Sequence, residues 1–148
     1  MTAKEVLTKL QSLGSENGRR MYTNHGATGT CYGVKIADLK VVHKQIKNDQ
    51  QLAMELYDTA VLDALYLAGM VADGAKMTKK QLQSWAENAS SPMISEYTVA
   101  WVASENGQGY ELAMEWIDSK KEHIASAGWA TLSALVAMKD DSALDMKA

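Results

Sequence analysis

A chain of 148 residues, 47% hydrophobic and 22% charged, with one proline, is one domain's worth of sequence, able to bury about two thirds of its unfolded surface without staples. Its longest charge-free run near the apolar maximum, 64–72, falls far short of the ~18 residues a membrane-spanning helix needs, so nothing in it reads as a membrane span. The net charge of −3 hides an asymmetry: residues 1–48 carry eight Lys/Arg against Glu5, Glu16 and Asp38, whereas residues 49–148 carry seven against fifteen acids, which permits a polyanion on the N-terminal third and otherwise reads as solvated surface.

The pattern is helical from the start. Thr2-x-x-Glu5 has capping-box form, and Val6, Leu7, Leu10 and Leu13 follow at helical spacing, predicting a helix over about 3–13 that stops at Gly14. Ser15 caps a short second helix carrying Arg19, Arg20, Met21 and Tyr22. The stretch 24–33 holds three glycines and no hydrophobic period, so it is a loop. Val34 and Ile36 lead into a third helix that runs to Asn48, with Leu39, Val42 and Ile46 on one side and Lys40, Lys44 and Lys47 on others.

Next comes a segment that the chain repeats. Residues 52–59, LAMELYDT, return as 112–119, LAMEWIDS, at an offset of 60. Each copy is a short amphipathic helix ending in a capping hydroxyl, Thr59 or Ser119, and each is followed by a longer apolar stretch, 60–73 and 121–140. Between them lies another pair, 79–89 and 92–103, opened by Thr78 and by Ser91-Pro92, a serine cap before a proline whose missing N–H is not needed there. The period is therefore roughly 30 residues, that of helical solenoids. Asn106-Gly107-Gln108-Gly109 separates the third pair from the second copy, and Gly128 marks either a close packing position or a kink. Asp140-Asp141-Ser142 has the form of a further cap, so a last hairpin is expected to begin there and not finish, as in a chain cut short. The expected fold is all-α, a single domain over 1–148 built as a right-handed solenoid of helical hairpins.

Few residues suggest chemistry. His25, His43 and His123 stand apart and Cys31 has no partner cysteine, so neither a metal site nor any cofactor is expected, and the lone thiol points to a reducing, cytoplasmic setting. The glycine loop matches no nucleotide-binding spacing. Basic residues near it (Arg19, Arg20, Lys35, Lys40, Lys44) are candidates for phosphate contact, and Tyr97, Trp101 and Trp129, together with Trp85 and Trp116, for stacking on bases in a concave groove, the core being the alternative place for any one of these rings. Glu96, early in the Pro92 helix, is the candidate catalytic carboxylate, or else a charge placed to suit the helix dipole.

Together, Tyr32–Leu39, Leu52–Asp58 followed by Asp63–Ala68, Trp85, Glu96–Trp101 and Ser126–Leu132 resemble the DNA alkylation repair proteins built from HEAT-like repeats, a family that includes an alkylpurine DNA glycosylase. The resemblance spans nearly the whole chain and implies an α-superhelix that binds duplex DNA and hydrolyses the N-glycosidic bond of alkylated purines. It departs at the catalytic motif. Where the glycosylase has Trp-x-x-x-Asp, this chain has Met93 and Tyr97, with Glu96 one residue away, and no arginine follows Arg20. The alternative expectation is a non-enzymatic scaffold that holds a protein or peptide in the same groove.

Overall fold

The computed structural model describes the backbone of residues 1–147 and the side chains of residues 1–138. α1 (Ala3–Leu13) opens on the expected box, in which the Thr2 hydroxyl accepts from Glu5 N at 3.2 Å and the Glu5 carboxylate accepts from Thr2 N at 3.1 Å. Two amides that a helix start leaves open are thereby satisfied. α2 (Glu16–Asn24) begins under the Ser15 hydroxyl, and α3 (Ile36–Ile46) ends at Lys47, whose φ of 64° turns the chain out of the helix. Asp49 caps α4 (Gln50–Asp58), and α5 (Leu62–Val71) follows after a three-residue turn. A 3-10 turn (Gly74–Lys76) leads to α6 (Lys79–Glu87), which carries the Thr78–Gln81 capping box. The Pro92 helix contains a π-helical segment (Ile94–Val99) that passes directly into α7 (Ala100–Glu105); α8 (Gly109–Ile117) and α9 (Glu122–Lys147) complete the chain. The two copies of the repeated segment end alike: the Thr59 hydroxyl accepts from Val61 N at 3.3 Å and the Ser119 hydroxyl from Lys121 N at 3.1 Å.

These helices stack in two layers. In the outer layer α1 packs on α4; Tyr57 of α4 stacks flat on Trp85 of α6 at 4.1 Å and donates to the Trp85 carbonyl at 2.5 Å; and Trp116 Nε1 of α8 donates to Gln83 of α6 at 2.7 Å. In the inner layer α3 lies on α5, α5 on the π segment, and the π segment with α7 on α9. α5 is central and buried from Leu62 to Gly69, as expected of a helix that is apolar all round. The bonds that join neighbouring hairpins span 28, 31, 32 and 33 residues of sequence, which is the repeat period made physical. The Asn106 amide, for instance, donates to the carbonyls of Gly74 and Met77 and ties one inter-helix turn to the next. The chain is thus an all-α solenoid of helical hairpins.

Four expectations need correction or a decision. Gly128 is a packing position: a Cβ there would lie 2.8 Å from Ile117 N and 2.9 Å from Trp116 Cβ, so α8 and α9 approach at the backbone while α9 runs on unbroken. The Pro92 helix is not regular, because the π segment widens it where Thr98 seats against Gly69 and donates to the Leu65 carbonyl at 3.4 Å. Ser91 does precede the helix, yet its hydroxyl has no partner among the described residues, since Ile94 N and Ser95 N both turn to the Ser91 carbonyl. Finally, α9 continues through Asp140-Asp141-Ser142 to Lys147 and no new cap forms. With neither Gly nor Pro in that stretch, extending an existing helix is easier than stopping and nucleating another.

Candidate nucleic-acid interface

The glycine loop is held by one carboxylate. Asp63, 1% exposed in the first turn of α5, accepts from Tyr32 N at 2.6 Å and from Val34 N at 2.8 Å, and Leu62 N donates to the Thr30 carbonyl at 2.9 Å. The Tyr22 hydroxyl donates to the Val34 carbonyl from the other side. Gly33 needs its identity: its φ is 78° and a Cβ would meet Arg19 N at 2.3 Å. The loop is therefore clamped between α2 and α5, which sets α2 beside Pro92. The sequence reading assigned Asp63 no role. The available signal was a lone acid in an otherwise apolar stretch, which burial permits only with strong partners.

Cys31 sits half-buried beside this carboxylate, and burial, reinforced by the Asp63 charge, pushes its thiol up to about 11. The thiolate is the nucleophile. Alkylation by iodoacetamide is therefore expected to be slow at pH 7.5, to rise about tenfold per pH unit and to level off only above about 11; rapid labelling at neutral pH would contradict this environment.

The inner face brings the predicted residues together selectively. Lys40, His43 and Lys44 of α3 line a cleft of about 450 Å³ with Met70, Trp101 and Glu105. Trp101 is half-buried, edge-on to Tyr66 at 5.3 Å, and 6.0 Å from Tyr97. Beyond it, Glu96 and Tyr97 border a cleft of about 460 Å³ with Ser126, Trp129 and Ser133, and another of about 320 Å³ with Met21, His25 and Met93. Glu96 also borders a third cleft, of about 390 Å³, with the buried Ser91 and Ser95 and with Glu122 and His123. A strip thus runs from the lysines of α3 across three aromatic rings to α9. Tyr97 and Trp129 are 51% and 61% exposed, whereas Trp85 and Trp116 are core at 4% and 2%.

The remaining basic candidates lie outside the strip. Arg19 donates to the Tyr32 carbonyl at 3.4 Å, Arg20 pairs with Glu16 at 3.8 Å, and Lys35 is exposed immediately before α3; none of them lines these clefts. The carboxylates were underestimated, since Glu96, Glu105 and Glu122 all border the inner-face clefts. No group of three or more His, Cys, Asp or Glu residues is placed to hold a metal ion among the described residues, and none of their helices is long and apolar enough to cross a membrane.

A two-layered helical solenoid whose inner face carries exposed aromatic rings beside lysines is a HEAT-like superhelical protein. The match to a family is specific. The chain belongs to the DNA alkylation repair enzyme family, whose model matches residues 6–145. It is similar, at 37% identity and a TM-score of 0.86 over 91% of its length, to a solved structure described as a new family of proteins related to the HEAT-like repeat DNA glycosylases with affinity for branched DNA structures. Two uncharacterized proteins, Lin0241 of Listeria innocua and Lmo0209 of Listeria monocytogenes, are 29% and 28% identical over 90% of the chain. The chain spans 62% of the length of each of these relatives and 57% of the solved chain.

Proposed function

We propose that this protein binds DNA along its inner face, with Lys40 and Lys44 at phosphates and Tyr97, Trp101 and Trp129 against bases. The observation that carries this reading is the exposure of Tyr97 and Trp129 on the inner helices, continuous through Trp101 with the lysine cleft. Rings of that size are normally buried, and stacking on a base recovers the lost burial at ~1–3 kcal/mol per base. Membership of the DNA alkylation repair family supports it, as does likeness to a protein with affinity for branched DNA. Branched DNA suits the site better than regular duplex, because a branch point offers unstacked bases to the rings.

Two lysines make a modest electrostatic contribution. A slope of log K against log salt near −2 is expected, since each neutralised phosphate contributes about −0.9, and each Lys→Gln substitution at position 40 or 44 should flatten it by about one. Fluorescence anisotropy with a labelled four-way junction and a matched duplex, between 50 and ~200 mM salt, measures both quantities. Unchanged slopes in the double variant would remove the lysines from the interface.

Catalysis, on this reading, falls to Glu96. A carboxylate beside the Tyr97–Trp129 cleft would stabilise positive charge developing on the sugar and position water as the N-glycosidic bond of an alkylated purine breaks. Release of free base from methylated DNA, abolished by Glu96→Gln, supports this; no release leaves DNA binding alone. A second reading, a peptide-binding scaffold, is favoured by the acids on the inner face and by the absence of the family's Asp and Arg. Failure to bind any DNA would select it.

A further inference from the structure

We infer that the cleft between Tyr97 and Trp129 is a subsite for a single unpaired guanine read by Glu96, an inference that rests on the DNA-binding reading above, specifies its ligand and stands as the alternative to Glu96 acting on the sugar. The cleft, about 460 Å³, is lined by Glu96, Tyr97, Ser126, Trp129, Ala130 and Ser133. Both aromatic rings are half or more exposed, and no lysine or arginine among the described residues lines the site. Among the described residues no ion pair engages the Glu96 carboxylate. Glu96 and Tyr97 are consecutive in the π segment and both line this cleft, so a carboxylate and a ring stand side by side.

The occupant must offer a flat face to two rings and hydrogen-bond donors to a group that, when ionised, only accepts. A phosphate is repelled by the carboxylate. Among the bases, guanine alone presents two adjacent donors, N1–H and the 2-amino group, on its Watson–Crick edge, matching the two oxygens of a carboxylate. Adenine and cytosine set one donor beside a lone-pair nitrogen that the carboxylate repels, and thymine sets one donor between two carbonyls. Pairing occupies that edge in a duplex, so the guanine is unpaired, as at a branch point or loop. An arginine side chain has similar chemistry. The Lys40–Lys44 cleft, joined to this one through Trp101 and Tyr97, attracts a nucleic-acid backbone and repels a basic peptide, which favours guanine.

The test uses the whole protein and a labelled DNA hairpin junction with one unpaired position, occupied in turn by guanine, hypoxanthine, adenine or an abasic site. Guanine is expected to bind about tenfold or more tightly than hypoxanthine, which lacks only the 2-amino group, the scale of a bidentate base contact. Glu96→Gln should bring the affinities of the three base-bearing DNAs together, still above that of the abasic DNA because the rings remain, and its exposed position leaves the fold intact, as a thermal melt would verify. As an independent readout, tryptophan fluorescence should be quenched by the guanine hairpin, and Trp129→Phe should remove that quenching. Equal affinities for guanine, hypoxanthine and the abasic site would overturn the inference while leaving DNA binding in place. So would a guanine preference that survives Glu96→Gln, or displacement of bound DNA by a short arginine-rich peptide at lower concentration than by a guanine oligonucleotide. No binding to any of these DNAs would overturn both readings.

Discussion

Asp63→Ala is expected to lower the free energy of unfolding by about 2–5 kcal/mol, measured by urea denaturation, the cost of leaving two backbone donors without their acceptor. The carboxylate is 1% exposed and accepts from two backbone amides, Tyr32 N and Val34 N. Truncation leaves two donors, Val34 N buried and Tyr32 N half-buried, without this acceptor, at ~1–3 kcal/mol each. Asp63→Asn retains one acceptor oxygen and should lose about half as much. The same substitution frees the loop that positions α2 against Pro92, so Cys31 should become more reactive as its carboxylate neighbour disappears. A loss below about 1 kcal/mol would show that the loop is held by Tyr22 and Gly33 without it.

Gly128→Val should destabilise by about 3 kcal/mol, the upper part of the range for overpacking. The atoms that a Cβ would meet include Ile117 N at 2.8 Å and Ala113 O at 3.0 Å, which belong to the backbone of α8 and cannot rotate away. The helices must separate instead. Trp129 is the next residue, so on the DNA-binding reading proposed above the displacement should also weaken binding to a four-way junction. Gly69 offers a comparison, because its nearest contact is the Thr98 methyl at 2.8 Å, a side-chain atom, and Gly69→Ala should be milder. Thermal melts of the two variants rank them; a Gly128→Val protein as stable as the parent would mean that α8 and α9 are not locked at this crossing.

The helical hairpins were legible because their signals are short-range. The Thr2 box, the Thr78 cap and the repeated segment with its terminal hydroxyl each act within four residues, and each is found where the pattern placed it. The inner-face site was legible only in part. Tyr97, Trp101, Trp129, Lys40 and Lys44 do meet along one strip, while Arg19, Arg20 and Lys35, equally basic and nearer the glycine loop, lie elsewhere. Residue type cannot distinguish these cases. Trp85 and Trp129 are the same side chain on helices of similar pattern, yet one is stacked on Tyr57 and the other stands in solvent.

The amino-acid order by itself determined the class of fold, the period and the helix ends, because local hydrogen bonding and apolar spacing suffice for those. Only the packed structure decided which rings remain exposed, that Gly128 joins two backbones, that Asp63 holds a loop some thirty residues away, and that Glu96 and Tyr97 border one cleft with Trp129. Those outcomes depend on partners distant in sequence. Packing selects them after the helices have formed, and no local pattern carries that information.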